Sequence, residues 1–388
     1  MTEYSKKFSA LDTNVVHAGR PAPNVEGAVV TPIFQSSNYL MGKETAYGDV
    51  RYVRLSNSPN HQVLHARLAV LENTEAALVT SSGMSAITST LLAFLQAGDH
   101  VIAHNSLYGG MQTWFDYDAP RLGIASTRID AKHEAGWDES VRPETKVVYV
   151  ESITNPLMEV LDLEAIVRFS RRHHLTSIID NTFTSPVNFR PADMGFDIVV
   201  HSATKYLNGH NDIGAGAVAG TAAHIERVIH VVNHMGGSLD PHACFLLERG
   251  MKTLVLRVER QNASALRVAG ALAGHPKVRR VNYAGLESDP GHAIASTLFK
   301  GCGGMLSFYT QTAEQAERFL ERVKIPLHAA SLGGAESLVV RPARSSHLGL
   351  TPDQRAAIGV TDDLIRVSVG IESAEELVAD FERALDDA

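Results

Sequence analysis

The sequence predicts an α/β protein whose main domain is a largely parallel β-sheet with helices on both faces. From residue 76 to about 220, apolar runs of strand length alternate with helical segments. This alternation is typical of parallel strands joined by helical crossovers. A second, smaller set of helices and strands follows from about residue 250, and it predicts a C-terminal α/β domain.

The composition is that of a globular protein without a signature for nucleic acid or membrane. Its 388 residues are 44% hydrophobic and carry a net charge of −8, with no basic cluster. No apolar run approaches the ~20 residues that span a bilayer, and the N-terminus lacks the apolar core of a signal peptide. The two cysteines, Cys244 and Cys302, lie far apart and predict free thiols, so we expect a cytoplasmic protein.

The first 60 residues contain many turn-forming residues and few apolar periods. Such a segment must pack on its own body or on a neighbouring subunit. We therefore divide the chain into an N-terminal arm (1–60), a main domain (61–250) and a C-terminal domain (251–388). Within the arm, the residues alone favour a solvated turn around Tyr52 and Arg54, although a guanidinium and a phenol are also suited to a phosphate.

A phosphate-binding geometry is predicted at the first strand–turn–helix unit. The apolar strand AALVT, which begins at Ala76, leads through SSGMS into a helix expected to close at Gly98. This order places free backbone N–H groups at a helix N-terminus, where phosphates bind, and Gly83 would let the backbone approach such a ligand closely. Tight packing between strand and helix would also explain a glycine in this turn.

Three further strands are each followed by a polar side chain at their carboxyl end. The strand HVIAH leads to Tyr108, KVVYVE leads to Asn155, and SIID ends in Asp180. Ligands of parallel sheets bind at this edge, so Asp180 is a candidate for a site. Each also has an ordinary role, as an interfacial tyrosine, a turn asparagine or a capping aspartate.

Ser202, Thr204 and Lys205 follow the β-branched strand DIVVHS in a turn rich in Gly and Asn. A lysine held there is suited to Schiff-base chemistry beside an anion, although a surface lysine in a polar loop fits the same pattern. Together, Lys205 and Asp180 match what pyridoxal 5'-phosphate (PLP) requires: an amine for an imine, and an acid that keeps the ring nitrogen protonated.

The segment SATKYLNGHNDIGAGAV, which contains Lys205, resembles the lysine segment of the Cys/Met-metabolism family of PLP enzymes. The family includes cystathionine γ-synthase, cystathionine γ- and β-lyases, methionine γ-lyase and homoserine-ester sulfhydrylases. The similarity extends from about Val16 to the C-terminus. It implies PLP-dependent transferase fold type I, with a large, mainly parallel sheet of the seven-stranded type and a smaller C-terminal α/β domain.

The resemblance also implies roles for individual residues. Lys205 would hold PLP, Asp180 its ring nitrogen and Asn155 its phenolic oxygen, while Tyr108 would stack on the ring and transfer protons. The cofactor phosphate would contact Gly83, Met84, Ser202 and Thr204, and the cofactor of a neighbouring subunit would contact Tyr52 and Arg54. Substrate would meet Ser331 and Arg366, although a structural salt bridge would also explain Arg366, which lies in the apolar strand LIRVSVG.

The sequence departs from the family pattern at three places. RLSNSPNHQ has one residue more than usual after Arg54, and Gly110 replaces the cysteine usual in methionine γ-lyases. Ala330 stands where enzymes that bind cystathionine generally carry a glutamate, which predicts a smaller or less polar substrate tail. We therefore expect a carbon–sulfur lyase that performs γ-elimination on methionine or a related thioether. The alternatives are γ-replacement by a cystathionine γ-synthase or homoserine-ester sulfhydrylase, and then a cystathionine γ- or β-lyase.

The family's shared sites imply a homo-oligomer, at least a dimer and by resemblance a tetramer, with a small amino acid as substrate. A PLP-free binding homologue is the alternative from another class, and intact Lys205, Asp180, Arg366 and Tyr108 argue against it. No metal site is predicted. His61 and His65 have the spacing of a zinc-protease pair, but Gln62 occupies the place of the catalytic glutamate, so we expect ordinary polar-face residues.

Overall fold

The computed structural model describes residues 3–4, 7–42 and 49–388. Its strands are β1 (Glu3–Tyr4), β2 (Pro21–Ala22), β3 (Ala76–Thr80), β4 (His100–His104), β5 (Ala125–Ile129), β6 (Thr145–Glu151), β7 (Thr176–Asp180), β8 (Ile198–His201), β9 (Gly216–Gly220), β10 (Val278–Asn282), β11 (Met305–Thr310), β12 (Leu327–His328), β13 (Leu338–Val340) and β14 (Leu364–Ser368).

The α-helices are α1 (Leu11–His17), α2 (Pro59–Glu72), α3 (Gly83–Phe94), α4 (Gly109–Thr113), α5 (Ala119–Arg121), α6 (Leu163–Arg172), α7 (Ser185–Asn188), α8 (Pro191–Met194), α9 (Ala222–Met235), α10 (Pro241–Met251), α11 (Leu254–Gly274), α12 (His292–Leu298), α13 (Ala313–Arg322), α14 (Pro352–Ala357) and α15 (Ala374–Asp386). A π-helical turn (Trp114–Asp118) joins α4 to α5. None of these helices is long and apolar enough to cross a membrane.

A seven-stranded sheet with the order β3-β9-β8-β7-β6-β4-β5 forms the main domain. β9 runs antiparallel to both of its neighbours, and the other pairs are parallel. The mainly parallel sheet predicted from the sequence is thus confirmed. Its register places Glu151 opposite Asp180, and Asp180 opposite Val200, so the carboxyl ends of β6, β7 and β8 lie side by side.

Both faces of this sheet are buried, as crossover helices require. Ile178 and Val200 point into an apolar cluster shared with α3 and α9, whereas Ile179 and Val199 point into a cluster on the other face, shared with α2 and α6. Since side chains alternate along a strand, Asp180 lies on the same face as Ile178, the face that α3 and α9 cover.

The C-terminal part contains a five-stranded sheet with the order β10-β11-β14-β13-β12, antiparallel except between β12 and β13. Helices α11, α13 and α15 cover one face, where Ile365 and Val367 of β14 are buried. Arg366, between them, therefore points to the opposite face, towards the main domain. The predicted second α/β unit is confirmed.

Two local predictions were wrong. Helix α3 ends at Phe94 rather than near Gly98, and Gly98 instead lies in the following turn with φ +95°. His61 is fully buried rather than on a polar face, and its Nδ1 lies 2.7 Å from the hydroxyl of Ser58. Burial lowers the pKa of His65 to about 3, so that histidine is also neutral near pH 7.

Candidate active site

A cavity of about 590 Å³ lies at the carboxyl edge of the seven-stranded sheet. Loops of the second sheet close its other side. Its walls contain ten of the twelve residues that the sequence identified as site candidates: Gly83, Met84, Tyr108, Asn155, Asp180, Ser202, Thr204, Lys205, Ser331 and Arg366. The remaining two, Tyr52 and Arg54, are not among the described residues that line it.

Lys205 lies in the turn after β8, where its backbone N–H donates to the carbonyl of Ser202 over 3.1 Å. Its Nζ donates to the Ser331 hydroxyl over 2.8 Å. Burial, together with the positive charge of Arg366, lowers the pKa of Lys205 to about 8. A substantial fraction of its amine is therefore neutral, and nucleophilic, near physiological pH.

Asp180 ends β7 with its carboxylate at the cavity. Its Oδ1 accepts hydrogen bonds from the backbone N–H of Thr182, over 2.9 Å, and from the Thr182 hydroxyl. Burial raises the pKa of Asp180, and these two donors oppose that rise because they stabilise the ionised form. Thr182 also accepts from the backbone N–H of Ser202, over 2.8 Å, and so links β7 to the lysine turn.

The N-terminus of α3 offers an anion cradle. Ser82 caps the helix by accepting from the backbone N–H of Ser85 over 3.1 Å, which leaves the first two amides, those of Gly83 and Met84, without an intrahelical acceptor. A Cβ on Gly83 would lie 2.7 Å from Cβ of Ser202, so only glycine permits this close approach.

Thr204 lies on the other side of this cradle. Its hydroxyl donates to the carbonyl of Ala215 over 3.1 Å and accepts from the amide of Ala215 over 2.9 Å. The oxygen therefore already has one donor and one acceptor in the protein, whereas the hydroxyl of Ser202 faces Gly83 directly.

Arg366 enters the cavity from β14 and is only 7% exposed. Its guanidinium donates to Asn155 Oδ1 over 3.0 Å and to the carbonyl of Ser331 over 3.3 Å. Burial lowers the pKa of Arg366 to about 10, and the side chain stays cationic near pH 7. Since both of these acceptors are neutral, the guanidinium retains an uncompensated charge that suits a substrate carboxylate.

Tyr108 is the N-cap residue of α4, four positions after the end of β4, and it is 43% exposed at the cavity mouth. Its backbone N–H donates to Glu151 Oε1 over 2.6 Å. The ring lies against Gly110, where an added Cβ would approach Cε1 of Tyr108 to 2.6 Å. A cysteine at 110 would therefore require a different position of this ring.

Tyr52 and Arg54 lie elsewhere on the same chain. Both are exposed, and the Arg54 guanidinium donates to the carbonyl of Asn233 in α9 over 3.1 Å. It also lies 5.6 Å from the centre of the Tyr52 ring. The fold thus brings these two residues together, but neither lines the cavity formed by their own chain.

Sequence reasoning missed other residues of the cavity wall. Glu151 carries the signal that identified Asp180, a polar residue ending an apolar strand, and could have been found in the same way. Thr182 is two residues from Asp180 and has no distinctive pattern. Ser345 and Ser346 reach the cavity from the loop after β13, which only the tertiary structure shows.

A family model described as Cys/Met metabolism PLP-dependent enzyme matches residues 12–386. The chain belongs to this family. Cystathionine gamma-lyase of Bacillus subtilis (strain 168) is 40% identical to it over 375 residues, which cover 96% of this chain and 98% of that protein. L-methionine gamma-lyase of Treponema denticola is 38% identical over 384 residues, or 96% and 95% of the two chains.

A solved relative confirms the fold type. The crystal structure of cystathionine gamma-lyase from Lactobacillus plantarum complexed with L-serine superposes with a TM-score of 0.92 at 35% identity, covering 97% of this chain and 99% of that one. Like other members of the Cys/Met family, the protein is a PLP-dependent enzyme of cysteine and methionine metabolism, a lyase or a transferase.

The cavity fits the family's cofactor. The two free amides of Gly83 and Met84 and the Ser202 hydroxyl lie together at the N-terminus of α3, and they suit a phosphate. A buried carboxylate and an amine of lowered pKa suit the pyridine nitrogen and the aldehyde.

Proposed function

We propose that this member of the Cys/Met family is a γ-lyase that converts methionine, or a thioether of similar size, to 2-oxobutanoate, ammonia and a thiol. The observation that carries the substrate assignment is the cavity wall beside Ser331. Ala330 lines it there, and Met84, Ile87, Ile153 and Leu332 supply apolar surface. Such a wall suits a methylthio group.

A second amino-acid head, such as that of cystathionine, has no counterpart among the described lining residues. The only carboxylates there are Asp180 and Glu151, at the sheet edge, and the only cations are Lys205 and Arg366. In this proposal all four lie beside the cofactor and the substrate's own α-amino acid head, so none is available to a second head. Burying a charged tail against the apolar wall would leave the charge unpaired, at a cost of several kcal/mol.

Bound PLP supplies an electron sink that makes protons on the substrate Cα and Cβ removable. The protein provides the other functions. Arg366 binds the substrate α-carboxylate, with Asn155 and the Ser331 carbonyl holding the guanidinium in place. Asp180 would stabilise the proton on the ring nitrogen, and the amides of Gly83 and Met84, with the Ser202 hydroxyl, would bind the phosphate. Thr204 would join them by turning its hydroxyl from the Ala215 carbonyl to a phosphate oxygen.

The amine of Lys205 takes the proton from Cα once the substrate is bound. Its contact with Ser331 holds the side chain on the Arg366 side of the cavity. The Tyr108 phenol donates a proton to the departing sulfur, so that the C–S bond breaks with release of a neutral thiol. Water then replaces the amino group, and the atoms balance as methionine plus water giving 2-oxobutanoate, ammonia and methanethiol.

We further propose that the arm completes the site of a neighbouring subunit through Tyr52 and Arg54. Neither residue lines the cavity of its own chain, which supports this arrangement. So do the arm's large exposed apolar side chains: Val29 is 77% exposed, Leu40 99% and Met41 70%. Such surface suggests coverage by a second copy of the chain. The oligomer would be at least a dimer.

The test is product analysis with the purified protein. L-Methionine, L-cystathionine and an O-acylhomoserine with L-cysteine are supplied in turn, and 2-oxobutanoate and thiol are measured. We expect equal amounts of 2-oxobutanoate and methanethiol from methionine. An Ala330→Glu variant should shift the ratio of kcat/KM values towards cystathionine. If methionine is inert while acylhomoserine and cysteine form a thioether, the enzyme is a γ-replacement transferase instead.

A further inference from the structure

Glu151 is a second buried carboxyl group at the edge of the sheet. It ends β6, is 5% exposed and stands opposite Asp180 in the register of β6 and β7. Its Oε1 accepts the backbone N–H of Tyr108 over 2.6 Å. One side chain thus connects the strand edge to the start of the helix that carries the cavity's tyrosine.

No described cation compensates a charge on Glu151. His104 Nε2 of β4 lies 3.9 Å away, but burial, with a further contribution from Arg128, lowers the pKa of His104 to about 3. That imidazole is therefore neutral, and neither of its nitrogens has a hydrogen-bond partner in the described part of the chain. The 3.9 Å approach is not an ion pair.

The cations of the cavity are directed elsewhere. Lys205 donates to Ser331, and Arg366 donates to Asn155 and Ser331. On its own strand, Glu151 has Tyr149 as its neighbour, a buried phenol whose pKa burial raises well above its usual value. The phenol is therefore neutral as well.

Of the two carboxyl groups, Asp180 stabilises a negative charge better than Glu151 does. Its carboxylate receives two hydrogen bonds from Thr182, whereas Glu151 receives one from Tyr108. Two ionised carboxylates at neighbouring, buried positions would repel each other strongly. Burial, with Asp180 as the second cause, accordingly raises the pKa of Glu151 well above its usual value.

We propose that Glu151 is a positioning residue of the cofactor site: a neutral carboxylic acid that holds the Tyr108 backbone and leaves Asp180 as the one ionised carboxylate in the described cavity wall. The inference rests on the proposed placement of the cofactor beside Asp180, and not on which substrate reacts. Glu151 would affect the reaction indirectly, by holding the Tyr108 backbone and by leaving the negative charge on Asp180.

The protonation state is tested by infrared spectroscopy of the full-length holoenzyme at pH 7. The carbonyl band of a protonated carboxylic acid should be present in the wild type and should lose intensity in Glu151→Gln. An identical band in both proteins would show that Glu151 is ionised, and would overturn the proposal. Because glutamine is isosteric, this comparison does not depend on a disruptive variant.

The positioning role is tested by comparing Glu151→Gln with Glu151→Met. Glutamine keeps an acceptor for the Tyr108 amide and methionine does not, so kcat/KM should be about tenfold higher in the glutamine variant. The visible absorbance of the bound cofactor should titrate with pH at the same midpoint in Glu151→Gln as in the wild type. Equal kcat/KM values in the two variants, or a shifted titration in Glu151→Gln, would overturn the assignment.

Asp180→Asn separates this inference from the placement on which it rests. We expect that variant to lose the wild-type visible spectrum while Glu151→Gln retains it. If Asp180→Asn kept the spectrum and Glu151→Gln lost it, the cofactor would lie against Glu151, and both the placement and the inference would fail.

Discussion

Lys205 Nζ donates to the hydroxyl of Ser331 over 2.8 Å, across 126 positions of the sequence. The contact joins the lysine turn of the seven-stranded sheet to the loop between β12 and β13. Ser331 adopts φ +114°, a backbone conformation that favours glycine, and its carbonyl accepts from Arg366. One strained residue, Ser331, thus holds both Lys205, the proposed base, and Arg366, which we propose binds the substrate carboxylate.

Ser331→Ala should lower kcat/KM about 10- to 100-fold, because a hydrogen bond to a charged or reacting amine contributes about 1.5–3 kcal/mol. Ser331→Gly is the matched variant, since it also lacks the hydroxyl but relieves the φ strain. We expect similar kinetics for both and a higher unfolding temperature for the glycine variant. Wild-type kinetics for Ser331→Ala would contradict the role of the hydroxyl.

The pKa of Lys205 predicts a pH dependence. A lowered pKa means that the reactive neutral amine forms at lower pH, so labelling of Lys205 in cofactor-free protein should be half-maximal at about pH 8. Arg366→Leu removes one cause of the lowering and should move this midpoint upwards. Mass spectrometry of the labelled peptide measures it, with the exposed Lys300 as an internal reference. A midpoint that falls in the variant would contradict the electrostatic explanation.

Gly83→Ala should weaken cofactor binding at least about tenfold, because the new Cβ would lie 2.7 Å from Ser202 and displace one wall of the phosphate cradle. Gly270→Ala in α11 is the control, since apart from its chain neighbours and the adjacent helix backbone no atom lies within 4 Å of its added Cβ. Cofactor dissociation is followed by absorbance during dialysis. Equal retention in the two variants would exclude the cradle as the phosphate site.

Mixing an Arg54→Ala chain with a Lys205→Ala chain tests the shared site. If Arg54 serves the neighbour, each mixed dimer has one intact site, and random reassortment should restore about a quarter of the wild-type activity. Each variant alone should be weakly active or inactive. Verified mixed dimers without recovered activity would place Arg54 outside the neighbour's site.

The sequence predicts the sheet and its edge well because those features are local. Apolar runs define β6, β7 and β8. Asp180 is the last residue of β7, and Lys205 lies in the polar turn that follows β8. The end of α3 was misplaced because the apolar pattern continues past Phe94 to Gly98, whereas the helix stops where the chain turns towards β4.

Contacts between distant segments could not be predicted in this way. The Lys205–Ser331 bond and the approach of Ser345 and Ser346 depend on how the second sheet packs against the first. Glu151 carried a usable signal, but its effect depends on the neighbouring strand, since only the register of β6 and β7 shows that it stands beside Asp180.

The site of cofactor attachment tests most directly whether Lys205 is the centre of this enzyme. The holoenzyme is reduced with borohydride, digested and sequenced by mass spectrometry. We predict a pyridoxyl group on the peptide that contains Lys205, at about one per chain, and none on Lys205→Ala. A pyridoxyl group on any other lysine of the wild type, or none at all, would contradict the site described for this protein.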